Sequence, residues 1–192
     1  MTGDPMTGEK TTTGGTPHAA DVVAFWRDAG PAKWFARDAA FDADFHMRFH
    51  DAHWCAARRE LDHWMDGSEG MLALVLLLDQ FPRNCFRDSG HAYATDALAR
   101  HHAGRAIASG LDQQVEEGLR VFVYLPFEHS EDAADQQRAV ELITPLGTEY
   151  TRYACAHRDV IARFGRFPHR NRALGRTTTP EEQAYLDGGG GF

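Results

Sequence analysis

The stretch EGMLALVLLLDQF, residues 69–81, decides the fold class, because it is apolar on every side of a helix. A helix that is apolar all round must be surrounded by other elements rather than packed along one face. We therefore expect residues 69–81 to form a central buried helix. Pro82 follows directly, and since proline disfavours helix at the residue before it, we expect the helix to end there. Asp79 lies four residues before Arg83, which predicts a structural ion pair between them.

The segments on both sides of this stretch show helical signals of their own. In a helix predicted over about 38–59, the apolar residues at helical spacing are Phe41, Phe45, Phe49, Ala52 and Ala56. Thr95 and Gly110 are suited to begin and end a helix over 96–109. The sequence Thr-Pro-Glu-Glu at 179–182 is a capping box with proline at the first helical position, which strongly predicts a last helix.

Further helices are predicted between these elements. One spans about 115–125 and is interrupted by Pro126, and Ser130 is positioned to cap the next helix. The inward stripe expected for that next helix is Ala133, Gln137, Val140 and Ile143. A longer helix then runs to about Phe164, with a stripe formed by Tyr150, Tyr153, Ala154, His157, Ile161 and Phe164.

The fold class that follows is all-α. We find no period-two alternation bounded by turn signals, and the predicted helices are joined by short connections, which favours an antiparallel helical array. A length of 192 residues suits one domain, so we assign 18–192 to a single all-helical domain. Residues 1–17 are rich in Thr, Gly and Pro, which predicts a disordered leader.

Composition limits the classes of function. The formal net charge of −8 disfavours general binding to nucleic acid. The longest apolar run, 71–78, is too short to cross a membrane, and the N-terminal residues do not resemble a signal peptide. Three cysteines without CxxC or disulfide spacing favour a reducing compartment, so we expect a cytoplasmic protein. Oligomeric state cannot be derived from these features.

Three stretches together resemble a known family. They are Leu77–Asn84 (LLDQFPRN), Tyr124–Asp132 (YLPFEHSED) and Phe164–Asn171 (FGRFPHRN), the last followed by Leu174-Gly175-Arg176. Their order and spacing are similar to those of the bacterial family called domain of unknown function 924, over about residues 21–192. The resemblance implies an all-α fold similar to tetratricopeptide repeats, and it supplies no activity.

The first candidate site is the segment 157–176, which we call the C-terminal basic cluster. It holds six arginines opposed within the segment only by Asp159, and a local excess of guanidinium groups in an acidic protein can bind an anion. The alternative is that these arginines pair with carboxylates elsewhere and attach the segment to the body of the protein. The ligand-binding residues that we predict are Arg83, Arg166, His169, Arg170, Asn171 and Arg176.

The second candidate site is catalytic. A carboxylate beside an imidazole, as in Glu128-His129, can carry out acid–base chemistry, whereas the alternative is that these residues only complete a turn. His157 is expected to face inward, and it gains interest only if Glu128, His129 or His169 lies beside it. The alternative to a structural role is that these residues together bind zinc, which accepts nitrogen and oxygen ligands. Without HExxH or CxxC spacing, we predict no metal and no cofactor.

Two hypotheses therefore stay open at the level of sequence. The first is a helical-repeat-like binding module whose basic cluster holds an anionic small molecule or peptide. The second is a hydrolytic or acid–base enzyme that uses Glu128, His129, His157 and His169, which requires these groups to meet in one pocket.

Overall fold

The computed structural model describes residues 18–192, and the predicted leader at 1–17 lies outside the described residues. Within 18–192 the chain is helical and contains no strand, which confirms the all-α class. The α-helices are α1 (Ala19–Ala29), α2 (Pro31–Trp34), α3 (Ala39–Ala57), α4 (Ser68–Val75), α5 (Phe81–Cys85), α6 (Asp96–Ser109), α7 (Glu117–Glu128), α8 (Ala133–Ile143), α9 (Thr148–Phe164) and α10 (Pro180–Asp187).

Helix α4 and the turn that follows it form the centre of the core. The side chains from Met71 to Leu78 are all at most 2% exposed, as the apolar run predicts. Helix α4 packs against α1, α6 and α7, and α3 supplies the buried ring stripe of Phe41, Phe45 and Phe49. A smaller apolar cluster, Val160, Ile161 and Phe167, lies toward the C-terminal end of the sequence.

The later helices pack in chain order. Contacts join α6 to α7, α7 to α8, and α8 to α9, as an antiparallel array requires. A tetratricopeptide-like pairing fits this packing and stays a prediction, as does the assignment of 18–192 to one domain. Among the residues that the structure describes, no helix combines the length and the apolar character needed to cross a membrane.

Proline ends neither of the two helices that we expected it to end. After α4 the backbone forms a π-helical turn, Leu76–Gln80, in which the Phe81 N–H donates to the Leu76 carbonyl. Pro82 then falls in the first turn of α5, where its missing N–H needs no partner. Pro126 lies inside α7, and the burial of the side chains from Tyr124 to Phe127 offsets the lost backbone bond.

Several capping predictions are also decided by the structure. Gly110 ends α6 in the left-handed conformation at φ 73°, and Thr179 and Glu182 form the predicted capping box of α10. Thr95 precedes α6 as predicted, but its hydroxyl donates to the Leu78 carbonyl instead of capping the helix. The cap of α8 is Asp132 and not Ser130, because the Asp132 carboxylate accepts from two N–H groups of the first turn.

The inward stripe of α8 is shifted from the predicted one. Its buried residues are Gln136, Ala139 and Ile143, whereas Ala133 and Gln137 are exposed. The Gln136 side-chain amide donates to the carbonyls of Glu128 and Ser130, both at 2.6 Å. A polar side chain therefore takes an inward position because it bonds the chain between α7 and α8.

Candidate functional site

A cleft lies where α5, the end of α7, α9 and the 168–170 turn come together. It consists of two adjoining cavities of about 220 Å³ and about 660 Å³. Both are lined by Arg83, Arg87, His129, His157 and Phe192. The larger volume is in the range typical of small-molecule sites, roughly 300–1,000 Å³.

An aspartate–histidine pair forms one wall of the cleft. Asp79 is fully buried in the π-helical turn, and its Oδ1 lies 2.8 Å from His129 Nδ1 and 3.2 Å from Arg83 Nη1. Burial by itself would raise the pKa of Asp79, but Arg83 and His129 outweigh it and lower that pKa to about 2. Burial, reinforced by Arg83, lowers the pKa of His129. A neutral His129 thus donates from Nδ1 to Asp79 and presents Nε2 as a proton acceptor.

Glu128 and His157 form a second pair in the larger cavity. His157 Nδ1 lies 3.2 Å from Glu128 Oε1 and 2.9 Å from the Tyr153 carbonyl oxygen. Burial, with the Asp79 charge adding to it, raises the pKa of Glu128 to about 8, and burial lowers the pKa of His157 to about 3. Both groups are therefore uncharged near pH 7, and their contact is not an ion pair.

The π-helical turn and the end of α7 bring these groups together. The turn places Asp79 opposite His129, which is the residue directly after α7. Glu128 therefore contacts His157, whereas the next residue, His129, contacts Asp79. The centroids of the His129 and His157 rings are 6.3 Å apart. The arrangement places a neutral carboxyl and two neutral imidazoles in one water-accessible cleft, which suits proton transfer.

Arg170 is the guanidinium of the smaller cavity whose hydrogen bonding is least complete. The residue is 5% exposed, and its Nη1 donates to the His129 carbonyl oxygen at 3.0 Å. Its nearest carboxylate, Asp96, lies 3.5 Å away. Within residues 18–192, its Nε is buried without a partner, and its Nη2 makes no hydrogen bond while staying accessible. Burial and then the charge of Arg83 lower the pKa of Arg170 to about 10.

The other guanidinium groups of the cleft are matched by carboxylates. Arg83 binds both oxygens of Asp96, at 2.8 and 2.9 Å, in addition to its contact with Asp79, which confirms the predicted Asp79–Arg83 pair. Arg87 binds the carboxylate of Asp42 in the same two-pronged way. These paired groups shape the wall, whereas Arg170 has donors to spare.

His169 precedes Arg170 in the 168–170 turn and lines the smaller cavity with it. Its Nδ1 is buried without a partner among the described residues, and burial, with Arg170 adding to it, lowers its pKa to about 4. All four predicted catalytic residues therefore border the cleft, with Glu128 in the larger cavity, His169 in the smaller, and His129 and His157 in both.

Three of the predicted ligand-binding residues lie elsewhere. Arg166 binds Glu182 through Nε and Nη2, at 2.6 and 2.8 Å, and Arg176 binds both oxygens of Glu131. The Asn171 amide donates to Glu182. These contacts follow the alternative that we left open, in which the C-terminal basic cluster attaches its segment to the body. Of the predicted ligand-binding residues, Arg83, His169 and Arg170 line the cleft.

The larger cavity ends in an aromatic wall. It is lined there by Trp34, Phe35, Tyr150 and Tyr153, of which Phe35 is 59% exposed and Tyr153 48% exposed. The Phe35 ring lies 5.8 Å from Phe122 and 6.5 Å from Tyr150, between centroids. Large exposed rings beside a cleft are typical of a surface that contacts a ligand.

Several residues of the cleft gave no signal in the sequence. Tyr93 and Phe192 stand outside the recognisable motifs, and Asp96 was expected only to start α6. Asp79 was predicted to pair with Arg83, but its partner His129 is fifty residues away in the chain. In the described part of the chain, no group of three or more His, Cys, Asp or Glu side chains is arranged to hold a metal ion.

The fold and the cleft define a class, namely an all-helical protein with a cleft lined by arginine, histidine and aromatic side chains. The family model described as a bacterial protein of unknown function (DUF924) matches residues 22–190, so the chain belongs to this family. A solved structure of a protein of unknown function from Agrobacterium tumefaciens is 64% identical, with a TM-score of 0.87. That match covers 88% of this chain and 97% of the other. No curated protein matches the chain.

Proposed function

We propose that this protein binds a small anionic molecule in the cleft, with Arg170 as the principal contact. The observation that carries the proposal is the state of Arg170: a buried guanidinium that makes one hydrogen bond within residues 18–192 and has an accessible Nη2. Burying a charge with unused donors costs free energy, and an anion in the cavity would complete its hydrogen bonding. Arg83 and His169 border the same space.

The dimensions of the cleft support a small molecule rather than a peptide. A volume of about 660 Å³ suits a molecule of cofactor or metabolite size. Arg166 is paired with Glu182 and Arg176 with Glu131, so we do not include these two arginines among the residues that bind the anion. The net charge of −8 supports the further proposal that nucleic acid is not a partner. A cytoplasmic location is proposed from the free state of the three cysteines.

The experiment is calorimetric titration of the protein with inorganic phosphate and with acetate near pH 7. We expect Arg170→Met to weaken binding by roughly tenfold or more, because a hydrogen bond to a charged group contributes about 1.5–3 kcal/mol. Arg170→Lys keeps the charge but not the fork of donors, and we expect an intermediate loss. Arg172→Ala, two residues away and exposed, is the matched control. Equal affinities of wild type and both Arg170 variants would refute the proposal.

A second function, acid–base catalysis on the bound anion, is favoured by the Asp79–His129 contact of 2.8 Å. Asp79 orients the imidazole and His129 Nε2 accepts a proton, while the neutral carboxyl of Glu128 can donate one. A panel of p-nitrophenyl esters and phosphates tests this. We expect turnover that falls by about a hundredfold or more in His129→Gln and is unchanged in Arg172→Ala. Turnover that His129→Gln leaves intact would exclude His129 as the base.

A further inference from the structure

The ring of Phe192 occupies a subsite made of other rings. It stacks on His157 with 3.5 Å between centroids and an angle of 14° between planes. Phe167 and His169 meet it edge-on, with centroids at 6.2 and 6.0 Å. Faces and edges of neighbouring rings arranged in this way hold a flat ring in the middle. Phe192 nevertheless remains 52% exposed, so the subsite is open on one side.

The chain holds Phe192 in this subsite only weakly. Helix α10 ends at Asp187, and residues 188–191 are all glycine. Gly189 and Gly191 adopt φ angles of 84° and 132°, which favour glycine, and ordering glycine costs more conformational entropy than ordering other residues. The conformational entropy lost by residues 188–191 therefore opposes the stacking of Phe192 on His157, and a competing ring can displace Phe192.

The ring subsite and the anion contact adjoin each other. The Arg170 guanidinium lies 4.4 Å from the centroid of Phe167, and the Phe167 ring is also perpendicular to that of Phe192. Phe167 therefore contacts both groups, Arg170 and Phe192 line the same smaller cavity, and Phe192 also lines the larger cavity with its aromatic wall. An aromatic ring and an acidic group joined in one small molecule can therefore be held in this one cavity.

We propose that the ligand of the cleft carries a planar aromatic ring joined to an anionic group, and that its ring replaces Phe192 against His157 while Arg170 binds the anion. The inference rests on the proposed function, and it adds the chemical class of the ligand. It also makes the segment 188–192 a built-in competitor, because one ring at a time fits on the face of His157.

The test is calorimetric titration of the full chain with inorganic phosphate, phenyl phosphate and cyclohexyl phosphate. We expect phenyl phosphate to bind more tightly than the other two, because only the planar ring stacks on His157. In Phe192→Ala the affinity for phenyl phosphate should rise by roughly two- to twelvefold, which corresponds to the worth of one aromatic pair, about 0.5–1.5 kcal/mol. Phe192→Trp offers a larger ring to the subsite and should lower that affinity.

The controls separate the two proposals. Met47→Ala removes another exposed apolar side chain, one that does not line the cleft, and should leave all three affinities unchanged. Phosphate affinity should be the same in wild type and Phe192→Ala. If phosphate binds but phenyl phosphate binds no better, or if Phe192→Ala does not strengthen its binding, the ring subsite is wrong and the anion site stands. If none of the three probes binds, both proposals are overturned.

Discussion

Glu128→Gln is expected to stabilise the protein at neutral pH, which is unusual for a buried residue of a candidate site. The side chain is 4% exposed, and burial raises its pKa from 4.5 to about 8. Glutamine imitates the protonated carboxyl in shape and hydrogen bonding. The substitution therefore keeps the contact with His157 and removes the free-energy cost of holding this carboxyl protonated at a pH where the unfolded chain has lost the proton.

The direction and the magnitude of this stability change follow from the pKa of Glu128 in the unfolded chain and in the folded chain. The unfolded chain loses this proton near pH 4.5, whereas the folded chain retains it until about pH 8. The contribution of Glu128 to the free energy of unfolding is therefore complete below pH 4.5 and is lost as the pH rises to 8. Between pH 5 and pH 7 the loss is about 2.5 kcal/mol, since one pKa unit is worth about 1.4 kcal/mol.

Urea unfolding at pH 5, 6, 7 and 8 measures this difference. Relative to wild type, Glu128→Gln should gain stability steadily over this range, by about 2.5 kcal/mol from pH 5 to pH 7. Glu117→Gln removes the same charge from the exposed start of the same helix and serves as the control. A wild-type profile parallel to that of Glu128→Gln would show that Glu128 is ionised in the folded protein, and the neutral pair with His157 would have to be abandoned.

Three further substitutions test the structural contacts around the cleft. Asp79→Asn should cost roughly 3 kcal/mol in urea unfolding, because it removes the buried carboxylate that Arg83 and His129 share and leaves Arg83 with Asp96 alone, and an unchanged midpoint would argue against that network. Arg166→Met should lower the thermal midpoint, because Glu182 loses its ion pair, yet leave phosphate affinity unchanged; a loss of affinity would return Arg166 to the binding site. Thr179→Ala should cost about 1 kcal/mol by removing the cap of α10, and thermal unfolding with no change would count against the capping box.

The helical scaffold could be predicted from sequence because its signals are local. The apolar run from Met71 to Leu78, the left-handed Gly110 and the capping box at Thr179 each depend on residues within one or two turns. Pro82 and Pro126 were misjudged because the cost of a proline depends on its backbone surroundings. A π-helical turn places Pro82 at the start of a new helix, and core packing retains Pro126 within α7.

The candidate site was less predictable because its partners are distant in the sequence. Counting charges in 157–176 identified an excess of arginine, but the carboxylates that bind Arg166 and Arg176 come from outside that segment, at Glu182 and Glu131. Arg170 differs from the other arginines of this segment in its burial, and burial cannot be read from the residue type. The same holds for Asp79, whose bond to His129 depends on how the π-helical turn meets the end of α7.

The most direct measurement is a crystal structure of the protein with phenyl phosphate bound. We predict a phosphate oxygen within hydrogen-bond distance of Arg170 Nη2 and the phenyl ring on the face of His157, with Phe192 displaced. A phosphate bound to other residues, while Arg170 keeps only its bond to the His129 carbonyl, would contradict the proposed anion site.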